Sequence, residues 1–164
     1  MVSARTVASA VTDPELPMLT LADLGVLRDV DVDVDGRVIV SITPTYSGCP
    51  AMDTMRDDLD ASLRAAGYRD VEIRVVLSPA WSTDWITTEG RRKLVEAGIA
   101  PPGSAPRRSA GPIPLTLTAP AKVVRCPRCA STDTVQLSEF GATACRALRR
   151  CRDCGEPFDH VKEI

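Results

Sequence analysis

The sequence predicts an α+β chain, a small mixed sheet packed by helices, followed by a compact module built on four cysteines. Three observations carry that expectation. Valines alternate with carboxylates through residues 29–35 and apolar residues continue the step of two at 38, 40 and 42, the period that gives a strand one buried and one solvated face. Beyond Pro50 the apolar residues recur at steps of three and four, the mark of a helix lying on that sheet. Near the end stand two Cys-x-x-Cys pairs, Cys126/Cys129 and Cys151/Cys154, separated by residues 130–150.

Residues 3–11 suit a short helix. Asp13-Pro14-Glu15-Leu16-Pro17 must end it, because proline lacks an amide donor and disfavours helix in the residue before it. Thr20 can cap a second short helix over 21–24, with Gly25 closing it. Val30, Val32 and Val34 then read as core, while Asp29, Asp31, Asp33 and Asp35 read as a solvated face rather than a metal site. Asp35-Gly36 predicts a two-residue hairpin, and Val38, Val40 and Ile42 continue the pattern on the returning strand. Met52, Met55, Leu59, Leu63 and Ala66 form the buried stripe of the long helix, which Gly67 stops. Val71, Ile73 and Val75 predict a third strand, Ser78-Pro79-Ala80-Trp81 a turn, and 88–97 a last helix closed by Gly98. Trp81 and Trp85 suit equally a place beneath that helix and a role as exposed interface anchors.

A chain of 164 residues has room for one ordinary domain and an appended module. The stretch 101–120, rich in proline and carrying Gly103, Ser104, Ser109 and Gly111, reads as a semi-rigid linker between a domain at 1–100 and a module at 121–164. Hydrophobic content of 44% and charged content of 26% describe a chain that folds rather than a disordered one. The formal charge of −2 argues against nucleic acid as a partner, and Arg146, Arg149, Arg150 and Arg152 form one local cluster of the kind that is usually solvated. No apolar run reaches the roughly 18 residues of a membrane span, and Met1-Val2-Ser3-Ala4-Arg5 does not open a secretory signal. A cytoplasmic location without membrane attachment is therefore expected. In that reducing compartment paired cysteines favour metal over disulfides.

Each Cys-x-x-Cys pair can present two thiolates from a tight turn, so Cys126, Cys129, Cys151 and Cys154 are the expected metal ligands. Four thiolates close the coordination shell, which makes zinc structural rather than catalytic. Iron suits the same tetrahedral sulfur set, and with iron the module would be a rubredoxin-like electron carrier. Cys145 is a fifth cysteine in the module, open to ligand exchange, to use as a transferable thiolate, or to burial. His160, close to the last residue, reads as solvated.

Cys49 lies between a strand and the long helix, where a helix N-cap is expected. Unpaired amides and the helix dipole there would lower the thiol pKa, with Asp53 in the first turn opposing them. No histidine precedes His160, so a Cys-His hydrolase pair within the first domain is excluded. Burial as a structural cysteine is the competing reading for Cys49.

Asp13-Pro14-Glu15-Leu16, Leu21-Ala22-Asp23-Leu24-Gly25-Val26, the Asp35-Gly36 hairpin and Gly48-Cys49-Pro50-Ala51-Met52 together resemble the MIP18/DUF59 family of iron–sulfur assembly factors. That likeness spans roughly residues 5–100. With Ser78-Pro79-Ala80-Trp81-Ser82-Thr83-Asp84-Trp85, Phe140-Gly141-Ala142-Thr143-Ala144-Cys145 and Glu156-Pro157-Phe158, the whole chain is similar to the D-subunit family of bacterial phenylacetyl-CoA epoxidase systems, in which a zinc ribbon follows the MIP18/DUF59 domain. The resemblance implies a non-catalytic accessory factor for assembly or maintenance of an iron–sulfur cluster, with oxygenase and ferredoxin-type reductase subunits as partners. It implies Cys49 as the residue that transiently holds iron or a cluster; apart from that implication, Cys145, Asp13 and Glu15 are accessory candidates. One thiolate cannot hold a cluster that needs four, so Cys49 would borrow ligands from a client or from a second copy in a homodimer. The competing reading is a scaffold subunit that docks the oxygenase complex.

Overall fold

The computed structural model describes residues 2–46, 48–105 and 122–164, so the expected linker lies outside the described residues from 106 onward. Helix α1 is Ala4–Ser9, capped by the Ser3 hydroxyl, which accepts from the Thr6 N–H at 3.2 Å. Strand β1, Leu27–Val32, pairs antiparallel with β2, Val38–Ile42. Strand β3, Val71–Val75, pairs parallel with β2 on its other side, which makes the sheet mixed in the order β1-β2-β3. Parallel neighbours need a long crossover. Helix α2, Met52–Ala65, supplies it and buries Met55, Leu59 and Leu63. Central strand β2 has Val38, Val40 and Ile42 wholly buried, as its period of two requires.

Two local expectations change, and the structure decides a third that the sequence left open. Residues 21–25 form a turn rather than a helix, although Thr20 Oγ1 accepts from the Asp23 N–H and Asp23 Oδ2 accepts from the Thr20 N–H, both at 3.0 Å. The Leu21 carbonyl instead accepts from the Val26 and Leu27 N–H groups, which turns the chain into β1. Gly25 makes this turn with φ +69°, and a Cβ there would sit 2.6 Å from the Trp85 Cβ. The hairpin is wider than two residues: the Asp33 N–H donates to the Arg37 carbonyl at 3.0 Å around residues 34–36, with Gly36 at φ +82°. Val34 is thereby placed at the exposed loop tip and Val32 at the open end of edge strand β1, 54% exposed; only Val30 of the three joins the core. Trp81 is buried, its indole N–H donating to the Leu24 carbonyl at 2.9 Å, which removes it as a surface anchor. Trp85 is half-buried beneath the Arg28 guanidinium, 3.6 Å from the ring centroid.

A 3₁₀ turn, Thr83–Trp85, leads to helix α3, Thr88–Glu96, whose Thr87 cap accepts from the Gly90 N–H at 2.9 Å. The second sheet is antiparallel, β4 (Thr134–Ser138), β5 (Arg146–Cys151) and β6 (Pro157–Val161), in that order. It packs back on the first unit. The Ala100 N–H donates to the Asp159 carbonyl at 2.8 Å, and the Val161 N–H donates to the Ala100 carbonyl at 3.1 Å. Further on, the Thr83 N–H donates to the Ile164 carbonyl at 3.2 Å. The two cores exchange residues, Val161 joining the first and Ala100 the second, beside Val124, Cys126, Cys151 and Phe158. His160 is buried rather than solvated, because β6 is the strand that docks. No helix among the described residues is long and apolar enough to cross a membrane.

Burial sets the expected stability effects. Leu59→Ala should cost about 2–5 kcal/mol in urea unfolding, the range for a large-to-small core change. Val34→Ala, at the exposed loop tip, should stay within about 0.5 kcal/mol.

Candidate metal centre and cysteine cavity

The four paired cysteines converge. All their sulfurs lie within 4.8 Å of one another, with Cys126 Sγ 3.8 Å from Cys154 Sγ and Cys129 Sγ 3.5 Å from Cys151 Sγ. A tetrahedral zinc with bonds of about 2.3 Å spaces its sulfurs about 3.8 Å apart, so the donor set fits such an ion. Cys126 and Cys129 come from the turn before β4, Cys151 from the last position of β5 and Cys154 from the turn that follows it. Backbone amides support thiolates here: those of Cys154 and Asp153 serve Cys151, that of Ser131 serves Cys129, and that of Glu156 serves Cys154. The Cys154 amide chiefly pulls the Cys151 thiol down to about 7, whereas, against the Ser131 amide, contact with Cys151 pushes Cys129 up to about 12 and, against the Glu156 amide, burial raises Cys154. Among the described residues this is the group of three or more His, Cys, Asp and Glu side chains preassembled for a metal.

Cys145 stands apart from that quartet. It precedes β5, its Sγ is 3.1 Å from Thr143 Oγ1, and its carbonyl accepts from the Lys162 N–H at 2.9 Å. Its position is the wall of a cavity of about 30 Å³ that Cys49 also lines. Asp13, Glu15, Thr45 and Cys49 reach this cavity from the first unit, and Cys145, Val161, Lys162 and Ile164 from the second. Leu16, Leu24, Met55, Trp81 and Ile86 make the rest of the wall apolar.

The environment of Cys49 reverses the expected shift. The α2 N-cap is Ala51, two residues on, so Cys49 lies outside the helix end. Burial pushes its thiol pKa up, the Ala51 amide opposes that, and the charges of Glu15, Asp13 and Cys145 raise it further. Asp53, expected to be the opposing carboxylate, is exposed, and the carboxylates that act on Cys49 are Glu15 and Asp13 instead. Asp13 is buried, and its Oδ1 accepts from the Glu15 and Leu16 N–H groups at 2.8 Å each. Burial nonetheless raises the Asp13 carboxyl, and burial together with the Asp13 charge raises Glu15. Arg146 acts on both carboxylates in the opposite sense, from a side chain paired to Asp159 at 3.2 Å. Neither Arg146 nor Thr45 is a sequence-derived site residue. The signal that could have found Arg146 is its neighbour, the surplus Cys145. The basic cluster itself divides, Arg146 and Arg149 being largely buried and Arg150 and Arg152 exposed.

Residues 4–75 match the family model for iron–sulfur cluster assembly proteins, and residues 110–162 match that of the PaaD zinc β-ribbon domain. A protein of Escherichia coli K12, named as the D component of a "Putative 1,2-phenylacetyl-CoA epoxidase", is 44% identical over 95% of this chain and 88% of its own. The chain belongs to the MIP18/DUF59 iron–sulfur assembly family, in its ribbon-bearing form. Within the family, an "Fe-S protein maturation auxiliary factor" of Porphyromonas gingivalis is 35% identical over 51% of this chain and 80% of its own. A crystal structure of a DUF59 domain from Bacillus anthracis superposes with a TM-score of 0.51 at 27% identity, covering 56% of this chain and 87% of that one. The MIP18/DUF59 match contains Asp13, Glu15 and Cys49, and the ribbon match contains Cys145 and the quartet.

Three outcomes follow from this geometry. A thiol with a raised pKa is protonated at neutral pH, so alkylation of Cys49 by iodoacetamide should keep accelerating above the pH at which a free cysteine levels off. Glu15→Gln removes a charge that raises the thiol pKa and should speed alkylation at neutral pH; slowing would contradict the stated electrostatics. Stripping the ribbon metal with a chelator should unfold the second sheet, because so small a module depends on its ion. Since Val161 and Ile164 wall the cavity, Cys49 should then label faster.

Proposed function

We propose that this chain is a non-catalytic maturation factor that helps to install or maintain an iron–sulfur cluster in an oxygenase system of the phenylacetyl-CoA epoxidase type. The observation that carries the reading is Cys49 on the wall of a partly apolar cavity beside Asp13 and Glu15, within the assembly-family domain. Cys49 Sγ is the atom that takes the cargo. Its raised pKa keeps it a thiol until a thiophilic metal displaces the proton, which protects an idle carrier from oxidation through its thiolate. One thiolate holds such cargo only in passing, since stable clusters draw on four.

In this reading zinc is the resident metal of the ribbon, held by Cys126, Cys129, Cys151 and Cys154 as a cross-link without an open coordination position. The clients are the oxygenase and ferredoxin-type reductase subunits of the system, and a homodimer is one means of gathering further ligands. The E. coli relative's name as an epoxidase component supports the system, and the names of the auxiliary-factor relatives support the maturation role. A cytoplasmic site of action accords with reduced cysteines as metal ligands.

Cells carrying Cys49→Ala should produce a normally folded chain with its ribbon metal retained, and an oxygenase–reductase system several-fold poorer in iron and sulfide. Iron and sulfide quantification of the purified system is the measurement. A fully loaded system from that strain would sink the proposal.

A further inference from the structure

The ribbon carries one cysteine more than its metal needs, and the fold delivers that cysteine to the other unit's cavity. Cys145 is held there by its backbone pairing to Lys162 and by the pairing of β6 with Ala100. Cys49 arrives from the loop before α2. The two thiols are near enough that the charge of one acts on the other, and Glu15 acts on Cys49 as well. Asp13 is less free to join them, because its Oδ1 is committed to two amides.

Resting on the reading of Cys49 as the metal-handling thiol, we infer that Cys49 and Cys145 form a second, exchangeable metal site across the two units, with Glu15 as its carboxylate ligand. Two sulfurs and one carboxylate select a thiophilic divalent cation over magnesium or calcium, and ferrous iron is the cation in keeping with the maturation role. The cavity of about 30 Å³ admits a single ion with a water, a water needing about 10–15 Å³ on the same measure. Each metal–sulfur bond replaces one S–H bond, so two protons leave for solvent per ion and no electron is transferred.

The contrast with the quartet explains why such a site exchanges. Four ribbon sulfurs are already gathered within 4.8 Å, whereas Cys49, Cys145 and Glu15 do not form such a group. Binding must draw them together, and it must also work against the positive charge of Arg146 beside Asp13 and Glu15. Ligands that are not preorganised bind more weakly. Weak binding suits cargo that is to be passed on, and the second thiolate comes from within the chain instead of from a second copy.

The test uses the full zinc-loaded chain under anaerobic conditions, titrated with Co²⁺ as the spectroscopic probe. The wild type should bind one further equivalent with thiolate-to-metal charge-transfer absorption, zinc content remaining constant. Loss even of an outer-shell partner weakens metal sites about 10–100-fold, so Cys145→Ser and Cys49→Ser should each weaken this equivalent at least about tenfold and dim its charge-transfer band. Cys145→Ala guards against coordination by the serine oxygen, and thermal unfolding shows that each variant folds. If the Cys145 variants bind like wild type while Cys49→Ser does not, the two-thiol site is overturned and the Cys49 reading survives. If neither cysteine matters, both fall. No further equivalent in the wild type also overturns the site, leaving the Cys49 reading to the iron and sulfide content of the Cys49→Ala strain.

Discussion

Pairing of the chain at Ala100 with strand β6 is the contact on which the arrangement of this molecule depends. Two backbone hydrogen bonds align Ala100 with Asp159 and Val161, and each unit gives the other one residue of its core. That contact places Val161, Lys162 and Ile164 along the cavity and sets Cys145 on its wall. The ribbon can present those residues only while it is folded, and a module of about 45 residues buries too little surface to fold without a cross-link. The metal quartet thus acts at a distance on the cavity, through the strands it holds together.

The two sulfur environments differ in how closely their ligands are gathered. In the quartet four sulfurs already stand within 4.8 Å of one another, backbone amides bond to Cys129, Cys151 and Cys154, and burial of Cys126 and Cys151 keeps water away from half of the set. Around Cys49, apolar walls and two carboxylates make a thiolate costly. A site of the first kind keeps an ion as part of the architecture. In the proposed function, one of the second kind would stay protonated until something soft enough displaced the proton, and would release that cargo more readily.

Much of the fold was legible because periodicity is a local property. Val38, Val40 and Ile42 alternate without a break, and Met55, Leu59 and Leu63 follow the helical step, so β2 and α2 needed no tertiary information. The failures occur where a longer-range partner intervenes. Val34 continues the alternation of β1 but sits on a turn whose width is set by Asp33 bonding to Arg37. Thr20 and Asp23 form a helix-capping pair, yet Val26 and Leu27 claim the Leu21 carbonyl. Trp81 carried equal expectations of core and surface until its indole found the Leu24 carbonyl.

By itself the sequence determined the metal quartet, since two Cys-x-x-Cys turns dictate what each can coordinate, and it determined the central strand, the long helix and the family likeness around Cys49. Only the tertiary structure decided the character of Cys49, because Asp13 and Glu15 lie far off along the chain and reach it through the fold. It alone decided that Cys145 belongs beside Cys49 and not beside the quartet. The reason is physical: coordination spacing is written into a few neighbouring residues, whereas the field at a thiol is a sum over charges that the docking of two units brings together.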